Sequence, residues 1–125
     1  MNHTLPIPPP DGGQADPRAS AAPGDRVVIV IPAFQEAATI QHVVRRCRAT
    51  LPGAPLLVVD DGSSDGTAAL AAEAGATVIA SQGNEGKGAA LRRGMRAALG
   101  QGATLIATLD GDGQNPPEEL PKLSA

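Results

Sequence analysis

Short apolar runs rich in β-branched residues alternate with longer segments of helical period from residue 26 onward. The four runs cover residues 27–31, 56–59, 76–80 and 104–109. They are apolar at consecutive positions rather than at every second position, which predicts strands covered on both faces. Strands of this kind that alternate with helices are typical of a parallel sheet with crossover helices.

The segments between these runs predict helices. A first helix has one apolar face at positions spaced i, i+3, i+4 and i+7, namely Ile40, Val43, Val44 and Cys47. An alanine-rich second helix is expected over 67–75, with Asp65 as its cap and a glycine at its end. A third helix should begin near residue 88 and stop at Gly100 or Gly102. Asn115 and Pro116 indicate the start of a fourth.

The order of the elements, β-α-β-α-β-α-β-α, determines the expected topology. Right-handed crossovers then favour a doubly wound sheet with strand order 3-2-1-4. The fold class is therefore α/β, a Rossmann-like, doubly wound, mostly parallel sheet in three αβα layers. The first and fourth strands are neighbours in this arrangement, and the helices leave them toward opposite faces. A crevice opens there beyond the carboxyl ends of the strands, where open α/β sheets usually bind ligands.

Composition and charge exclude several classes of function. A chain of 125 residues has room for one small domain. Its formal net charge of -3 argues against a nucleic acid as the main partner. The single cysteine, Cys47, excludes an internal disulfide and a cysteine-rich zinc site, and we expect it in the core. No apolar run approaches the ~18 residues that cross a bilayer, and residues 1–25, rich in Pro, Gly and Ala, are expected to form a disordered tail.

Two aspartates one residue apart close the fourth apolar run. Asp110, Gly111 and Asp112 are followed by Gly113 and Gln114. Two carboxylates in one turn repel each other, and a hard divalent cation such as Mg²⁺ or Mn²⁺ relieves that repulsion while binding water and ligand phosphates. Gln114 offers a neutral oxygen beside them. An ordinary surface turn is the alternative, because Asp and Gly are common turn residues.

Two further polar clusters follow predicted strands. Asp61 ends the second apolar run, where an acidic side chain can accept hydrogen bonds from a base or a ribose; a capped turn is the alternative. Lys87 lies in a glycine-rich segment, 83–88, and could neutralise a phosphate, although an exposed loop lysine is common. That segment is not a Walker motif, because Ser81 stands where its first glycine would be. The turn at 32–36 contains no glycine, which excludes the dinucleotide-binding fingerprint.

Taken in order, the motifs at 32–36, 59–67, 84–88 and 110–118 resemble the amino-terminal half of family 2 glycosyltransferases with the GT-A fold. The resemblance covers residues 27–123 and is closest to the polyprenyl- or dolichyl-phosphate mannosyltransferase-like branch. It implies that a nucleotide sugar is bound by Pro32, Phe34, Glu36, Val59, Asp61, Lys87, Asp110, Gly111 and Asp112. It also implies that Mg²⁺ or Mn²⁺ is held by Asp110, Asp112 and Gln114.

This sequence departs from the family pattern in the turn after the first strand. Gln35 stands where the family usually has Asn, and Phe34 stands where Tyr is common. The hydroxyl of a tyrosine is therefore absent, and we expect the turn to differ slightly.

The resemblance implies an inverting hexosyltransferase that uses GDP-mannose or a UDP-sugar as donor and a polyprenyl phosphate as acceptor. Cleavage of the sugar–diphosphate bond puts negative charge on the leaving nucleoside diphosphate, which a bound cation stabilises. A lipid phosphate is largely an anion at neutral pH and could attack without a strong general base, whereas a hydroxyl acceptor would need one. We expect a cytoplasmic protein that works at the cytoplasmic face of the membrane.

Family members continue beyond the metal motif, so we expect residues 26–125 to be the amino-terminal part of a truncated GT-A domain. The acceptor-side catalytic residues would then lie beyond Ala125, and the fragment alone would transfer no sugar. Its fourth strand would lack a neighbour on one side. Two alternatives remain: a sugar-phosphate nucleotidyltransferase, disfavoured by the missing glycine-rich turn after the first strand, and a non-catalytic nucleotide-sugar-binding module.

Overall fold

The computed structural model describes residues 24–109, Gly111 and the backbone of Lys122–Ser124. Its elements are β1 (Val27–Ala33), α1 (Ile40–Thr50), β2 (Leu56–Asp60), α2 (Thr67–Ala74), β3 (Thr77–Ala80), α3 (Lys87–Gly100), β4 (Leu105–Thr108) and β5 (Lys122–Ser124). All four strands and three helices predicted between residues 26 and 109 are present. The fourth helix predicted at Asn115 and most of the predicted tail lie outside the described residues.

The strands form one sheet in the order β3-β2-β1-β4-β5. The first four are parallel, and β1 lies between β2 and β4, with Ile31 opposite Val58 and Val28 opposite Ile106. The doubly wound α/β class and the strand order 3-2-1-4 are therefore confirmed.

The expectation that the fourth strand lacks a neighbour on one side is wrong. β5 pairs antiparallel with β4, with Leu123 opposite Ile106. An antiparallel strand at the edge of an otherwise parallel sheet is common, and it supplies partners for backbone N–H and C=O groups that β4 would otherwise leave exposed. Three residues give too short an apolar pattern to be recognised in the sequence.

Alternate side chains of the strands enter two separate cores, one on each face of the sheet. Ile29 and Ile31 of β1 pack with the apolar face of α1 and with Ala71 of α2. Val28 and Val30 belong to the second core, which includes Ala90 of α3. Helices α1 and α2 thus cover one face of the sheet, and α3 covers the other. This change of face creates the switch point between β1 and β4.

Helix α3 packs very closely on the sheet at Gly94. A Cβ atom at this position would lie 2.3 Å from Cγ1 of Val30 and 2.9 Å from Cγ2 of Val59. Such distances leave no room for a side chain, so the helix backbone itself contacts the strands. Since α3 connects parallel strands β3 and β4, its first turn lies at the carboxyl ends of the strands.

The helix ends agree with the sequence in part. Gly75 ends α2 with a φ of 110°, as expected for a glycine stop. The residue that caps the start of α2 is Gly66, so the prediction of Asp65 as N-cap is wrong by one residue. Asp65 still accepts the backbone N–H of Thr67 at 3.1 Å. None of the described helices is long and apolar enough to pass through a lipid bilayer.

Cys47 lies in the core, as predicted. It is a free thiol on α1 and is completely buried. Burial raises the pKa of the Cys47 thiol to about 12, because an ionised sulfur would be poorly solvated there.

Candidate functional site

A pocket of about 320 Å³ opens beyond the carboxyl ends of β1 and β2. Its lining comes from four stretches of chain and consists of Pro32, Ala33, Phe34, Glu36, Asp61, Asn84, Lys87, Ala90 and Gly111. The crevice predicted at the switch point between β1 and β4 is therefore present. Six of the nine residues expected to bind a nucleotide sugar lie on this pocket: Pro32, Phe34, Glu36, Asp61, Lys87 and Gly111.

Of the other three expected residues, the structure describes only Val59. Val59 is fully buried, and its side chain packs in the core beneath α3. Asp110 and Asp112 lie outside the described residues, as does Gln114. The role of each as a ligand-binding or metal-binding residue stays a prediction.

The first loop, residues 34–39 between β1 and α1, presents an exposed aromatic ring to the pocket. Phe34 is 41% exposed, and it is the only aromatic residue of the sequence. The next residue, Gln35, has a φ of 55°, in the left-handed region that favours Gly and Asn. The turn after β1, which was expected to differ from the family pattern, thus contains a glutamine in a strained backbone conformation.

The second loop, residues 61–66 between β2 and α2, holds Gln35 in that conformation. The backbone N–H of Gln35 donates to Oγ of Ser63 at 2.8 Å. Its side-chain oxygen accepts the N–H of Ser64 at 2.7 Å. These bonds offset part of the backbone strain and link the two loops.

Asp65 and Thr67 form a second link between the same loops. The backbone N–H groups of Glu36 and Ala37 donate to Oγ1 of Thr67 at 2.9 Å and to Oδ2 of Asp65 at 3.1 Å. The hydroxyl of Thr67 donates to Oδ1 of Asp65. That hydrogen bond is the main cause that holds the pKa of Asp65 below its ordinary value, and the N–H groups of Ala37 and Thr67 add to it.

Asp61 is a buried carboxylate on the pocket wall, with only 3% of its surface exposed. Its Oδ1 accepts the backbone N–H of Glu85 at 2.8 Å, and its Oδ2 accepts that of Gly86 at 2.9 Å. These two donors belong to the third loop, residues 81–86 between β3 and α3. The neighbouring Asp60 is buried as well and accepts the N–H of Ser63 at 3.2 Å.

The third loop contacts the second loop directly at two glycines. A Cβ atom on Gly62 would lie 2.8 Å from the carbonyl carbon of Gly83, and Gly62 has a φ of 87°. Asn84 accepts the N–H of Gly86 at 3.0 Å, and Glu85 pairs with Arg93 of α3 at 3.1 Å. The loop therefore has a defined position against the pocket.

Asn84, Ala33 and Ala90 line the pocket and were not among the predicted site residues. Asn84 belongs to the motif at 84–88 that carried the resemblance, so the signal for it was present. The two alanines are small apolar residues, and the sequence pattern does not distinguish an alanine on a pocket wall from one in the core.

Gly111 brings the turn between the two predicted metal ligands to the pocket wall. Its carbonyl oxygen accepts the hydroxyl of Thr39 at 2.7 Å. A Cβ atom there would lie 3.2 Å from Cβ of Ala33 and 3.4 Å from Cγ of Glu36, which leaves little room for a side chain. By residue type, Asp110 and Asp112, which flank Gly111 in the sequence, carry the oxygen donors that Mg²⁺ and Mn²⁺ prefer, and their role as metal ligands stays a prediction. The part of the chain that the structure describes contains no group of three or more acidic, His or Cys side chains that could hold a metal.

Other polar residues of the helices lie outside this pocket. His42 is exposed on α1. On α3, Arg92 and Arg96 are exposed, while Arg93 forms its ion pair with Glu85. Lys87, by contrast, is the first residue of α3 and contributes to the pocket wall.

Comparison with known proteins gives two relatives whose names specify a polyprenol monophosphomannose and an undecaprenyl phosphate. The chain is 36% identical over 118 residues to polyprenol monophosphomannose synthase of Mycolicibacterium smegmatis, a match that covers 90% of this chain and 44% of that protein. It is 37% identical over 115 residues to undecaprenyl-phosphate 4-deoxy-4-formamido-L-arabinose transferase of Salmonella choleraesuis, covering 84% of this chain and 34% of the relative. The chain thus spans less than half the length of either relative.

Solved structures show the same fold with a bound metal. Glucosyl-3-phosphoglycerate synthase from Mycobacterium tuberculosis, in complex with Mn²⁺, uridine diphosphate and glucosyl-3-phosphoglycerate, superposes with a TM-score of 0.60 at 28% identity. The match covers 71% of this chain and 34% of the synthase. The family model of Glycosyl transferase family 2 matches residues 28–125. Because this match includes well over half of the sequence, the chain belongs to glycosyltransferase family 2.

Proposed function

We propose that this chain forms the donor-binding part of a metal-dependent glycosyltransferase, which takes its sugar from GDP-mannose or a UDP-sugar. One observation carries the proposal: Phe34, Asp61 and Gly111 follow three different strands and meet on one pocket at the switch point of the sheet. Ligands of open α/β sheets bind at this position. The bound uridine diphosphate and Mn²⁺ of the structurally similar synthase support the same class of ligand.

The base and ribose are assigned to the part of the pocket beside β1 and β2. Phe34 offers an exposed ring face for a base, and aromatic contacts of this kind favour planar ligands. Pro32 and Glu36 complete that wall. Asp61 lines the same pocket and is proposed to accept a hydrogen bond from a ribose hydroxyl or a base N–H. The buried side chain of Val59 leaves only its main chain for such a contact.

The diphosphate is assigned to the part of the pocket between Lys87 and the turn that contains Gly111, which borders Glu36. Asp110, Asp112 and Gln114 would hold Mg²⁺ or Mn²⁺ at this turn. When bound, the cation stabilises the negative charge that develops on the leaving nucleoside diphosphate. Thr39 keeps the turn in place through its hydrogen bond to Gly111, and the ammonium of Lys87 adds a positive charge to the wall.

The acceptor is proposed to be a polyprenyl phosphate, with inversion at the sugar's anomeric carbon. Support comes from the two relatives, whose names specify polyprenol and undecaprenyl-phosphate chemistry. A phosphate monoester carries most of its second negative charge at neutral pH, so it can attack without a strong general base. An acceptor of this kind is held in a membrane, which would place the reaction at the cytoplasmic membrane face. No acceptor-side residue is assigned to the described part of the chain.

Calorimetric titration of the chain with GDP-mannose and UDP-glucose, each with and without Mn²⁺, tests the proposal. We expect one of them to bind only with Mn²⁺, and Asp112→Ala to weaken that binding roughly tenfold or more, as loss of a metal ligand usually does. Glu73→Ala is the matched control, because Glu73 is an exposed carboxylate on α2. Binding that needs no metal, or that survives Asp112→Ala unchanged, would contradict the site assignment.

A further inference from the structure

The arrangement of Asp61 differs from that of a carboxylate kept available for a ligand. Both of its oxygens accept consecutive backbone N–H groups, from Glu85 and Gly86, at 2.8 and 2.9 Å. Hydrogen bonds to an ionised acceptor are stronger than those between neutral groups, and the side chain is almost completely buried. Asp61 is therefore a structural partner of the third loop as well as a part of the pocket wall.

Further contacts hold the third loop against residues 60–62. The backbone of Gly83 passes so close to Gly62 that no side chain fits between them. The N–H of Ser81 donates to the carbonyl oxygen of Asp60 at 2.8 Å. The loop is thus fixed on the residues around Asp61 from its first residue to its last, and α3 follows directly with Lys87.

We propose that Asp61 is a positioning residue, which holds the third loop so that Asn84 and Lys87 face the phosphates of the nucleotide. This inference builds on the proposed function, since the phosphates belong to the proposed ligand. The carboxylate then contributes to binding chiefly through the loop, in addition to any direct contact with the ribose or the base. Loss of the carboxylate should release Lys87 from its place on the pocket wall.

Amide hydrogen exchange in the ligand-free chain tests the first half of the inference. Asp61→Asn keeps the shape of the side chain but directs an NH₂ group toward one of the two backbone donors. We expect exchange at Glu85 and Gly86 to speed up roughly tenfold or more, because both N–H groups lose a charged acceptor and one of them faces the new NH₂ group. The N–H of Gly86 keeps Oδ1 of Asn84 as a second acceptor, so exchange at Glu85 should change more. Exchange at the buried α1 residues Val43 and Val44 reports whether the variant remains folded. Unchanged exchange at Glu85 and Gly86 would overturn the proposal.

A double-mutant cycle tests the second half, with UDP and GDP as probes in the presence of Mn²⁺. Asp61→Asn and Lys87→Met should each weaken binding about tenfold, and the loss from Asp61→Asn should shrink to about twofold once Lys87 is absent. Such coupling is expected because one residue acts through the other. A direct contact predicts equal losses in both backgrounds, and that result would contradict a positioning role.

Gly62→Ala is a second route to the same loop if Asp61→Asn does not fold. It leaves the carboxylate in place but forces the second and third loops apart, because its Cβ atom would meet Gly83. We expect the same faster exchange and the same coupling to Lys87→Met. If the unsubstituted chain binds neither probe, the proposed function fails, while the exchange measurement still decides whether Asp61 holds the loop.

Discussion

A single methyl group at Gly94 should destabilise the fold, although alanine is the better helix former. Gly94 lies in the middle of α3, where its backbone rests on β1 and β2. In Gly94→Ala the added Cβ atom would overlap Cγ1 of Val30, at 2.3 Å, and Cγ2 of Val59, at 2.9 Å. Both valines are completely buried in the centre of the sheet, so neither can move aside easily.

The expected magnitude follows from two opposing effects. Overpacking of a well-packed core costs about 1–3 kcal/mol. Replacing a glycine by alanine within a helix contributes about 1 kcal/mol in the other direction. The free energy of unfolding should therefore fall by up to about 2 kcal/mol. For a domain of this size a loss of about 2 kcal/mol lowers Tm by roughly 8–16 °C.

Urea unfolding followed by far-ultraviolet circular dichroism measures this change, because the sequence has no Trp or Tyr to provide a fluorescence signal. Gly88→Ala is the matched control in the same helix. The atom nearest to its Cβ position, Nη1 of Arg92, is 3.5 Å away, so we expect this variant to be neutral or stabilised by up to about 1 kcal/mol. If Gly94→Ala is stabilised as much as Gly88→Ala, the close packing of α3 on the sheet is refuted.

Three further outcomes follow from the loops and the core. Gln35→Ala should lower the free energy of unfolding by about 1–2 kcal/mol, because the left-handed conformation stays while the hydrogen bond to Ser64 is lost. Gln35→Gly should lower the free energy of unfolding by less, and an equal decrease in both variants would argue against backbone strain. Asp65→Asn should lower the urea midpoint at pH 7 and have little effect at low pH. The pKa of Asp65 is lower in the folded chain than in the unfolded chain. Its contribution to stability is therefore present above the unfolded pKa and disappears as the pH falls through the folded pKa. A loss of stability in Asp65→Asn that does not depend on pH would contradict this. Cys47 should resist a thiol reagent at pH 8–9 until the chain unfolds, since its pKa is about 12 against ~8.5 for a free thiol; rapid labelling of the folded chain would show that the thiol is accessible.

Most elements between residues 26 and 109 could be predicted because they are buried along a whole face. β3 is the exception, since none of its residues is buried, and the expectation that each strand is covered on both faces is wrong for this edge strand. The apolar positions of α1 repeat with helical spacing, and those same residues form the core against β1 and β2. The strand order followed from handed crossovers, which restrict a β-α-β-α-β-α-β chain to few topologies. β5 was missed because it makes only three backbone pairs, and pairing at an edge leaves little mark on a sequence.

The position of the candidate site could be predicted, whereas the connections within it could not. The carboxyl ends of neighbouring parallel strands meet at one edge, so polar residues after β1, β2 and β4 had to be close together. The partners of Asp61 are backbone N–H groups 24 and 25 residues away, and a backbone donor has no residue type by which a sequence could reveal it. Gln35 was likewise assigned to a local turn and Asp65 to a helix cap, yet they connect two loops that are separated by a helix and a strand.

Paramagnetic broadening by Mn²⁺ is the most direct test of the claim that a cation and a nucleotide occupy the switch point of the sheet. With Mn²⁺ and UDP or GDP added to ¹⁵N-labelled chain, the amide signals of Glu36, Gly86 and Gly111 should broaden strongly. Those of Gly53 and Gly102, which precede β2 and β4 at the opposite end of the sheet, should stay sharp. Strongest broadening at Gly53 or Gly102, or equal broadening at both ends, would contradict the account.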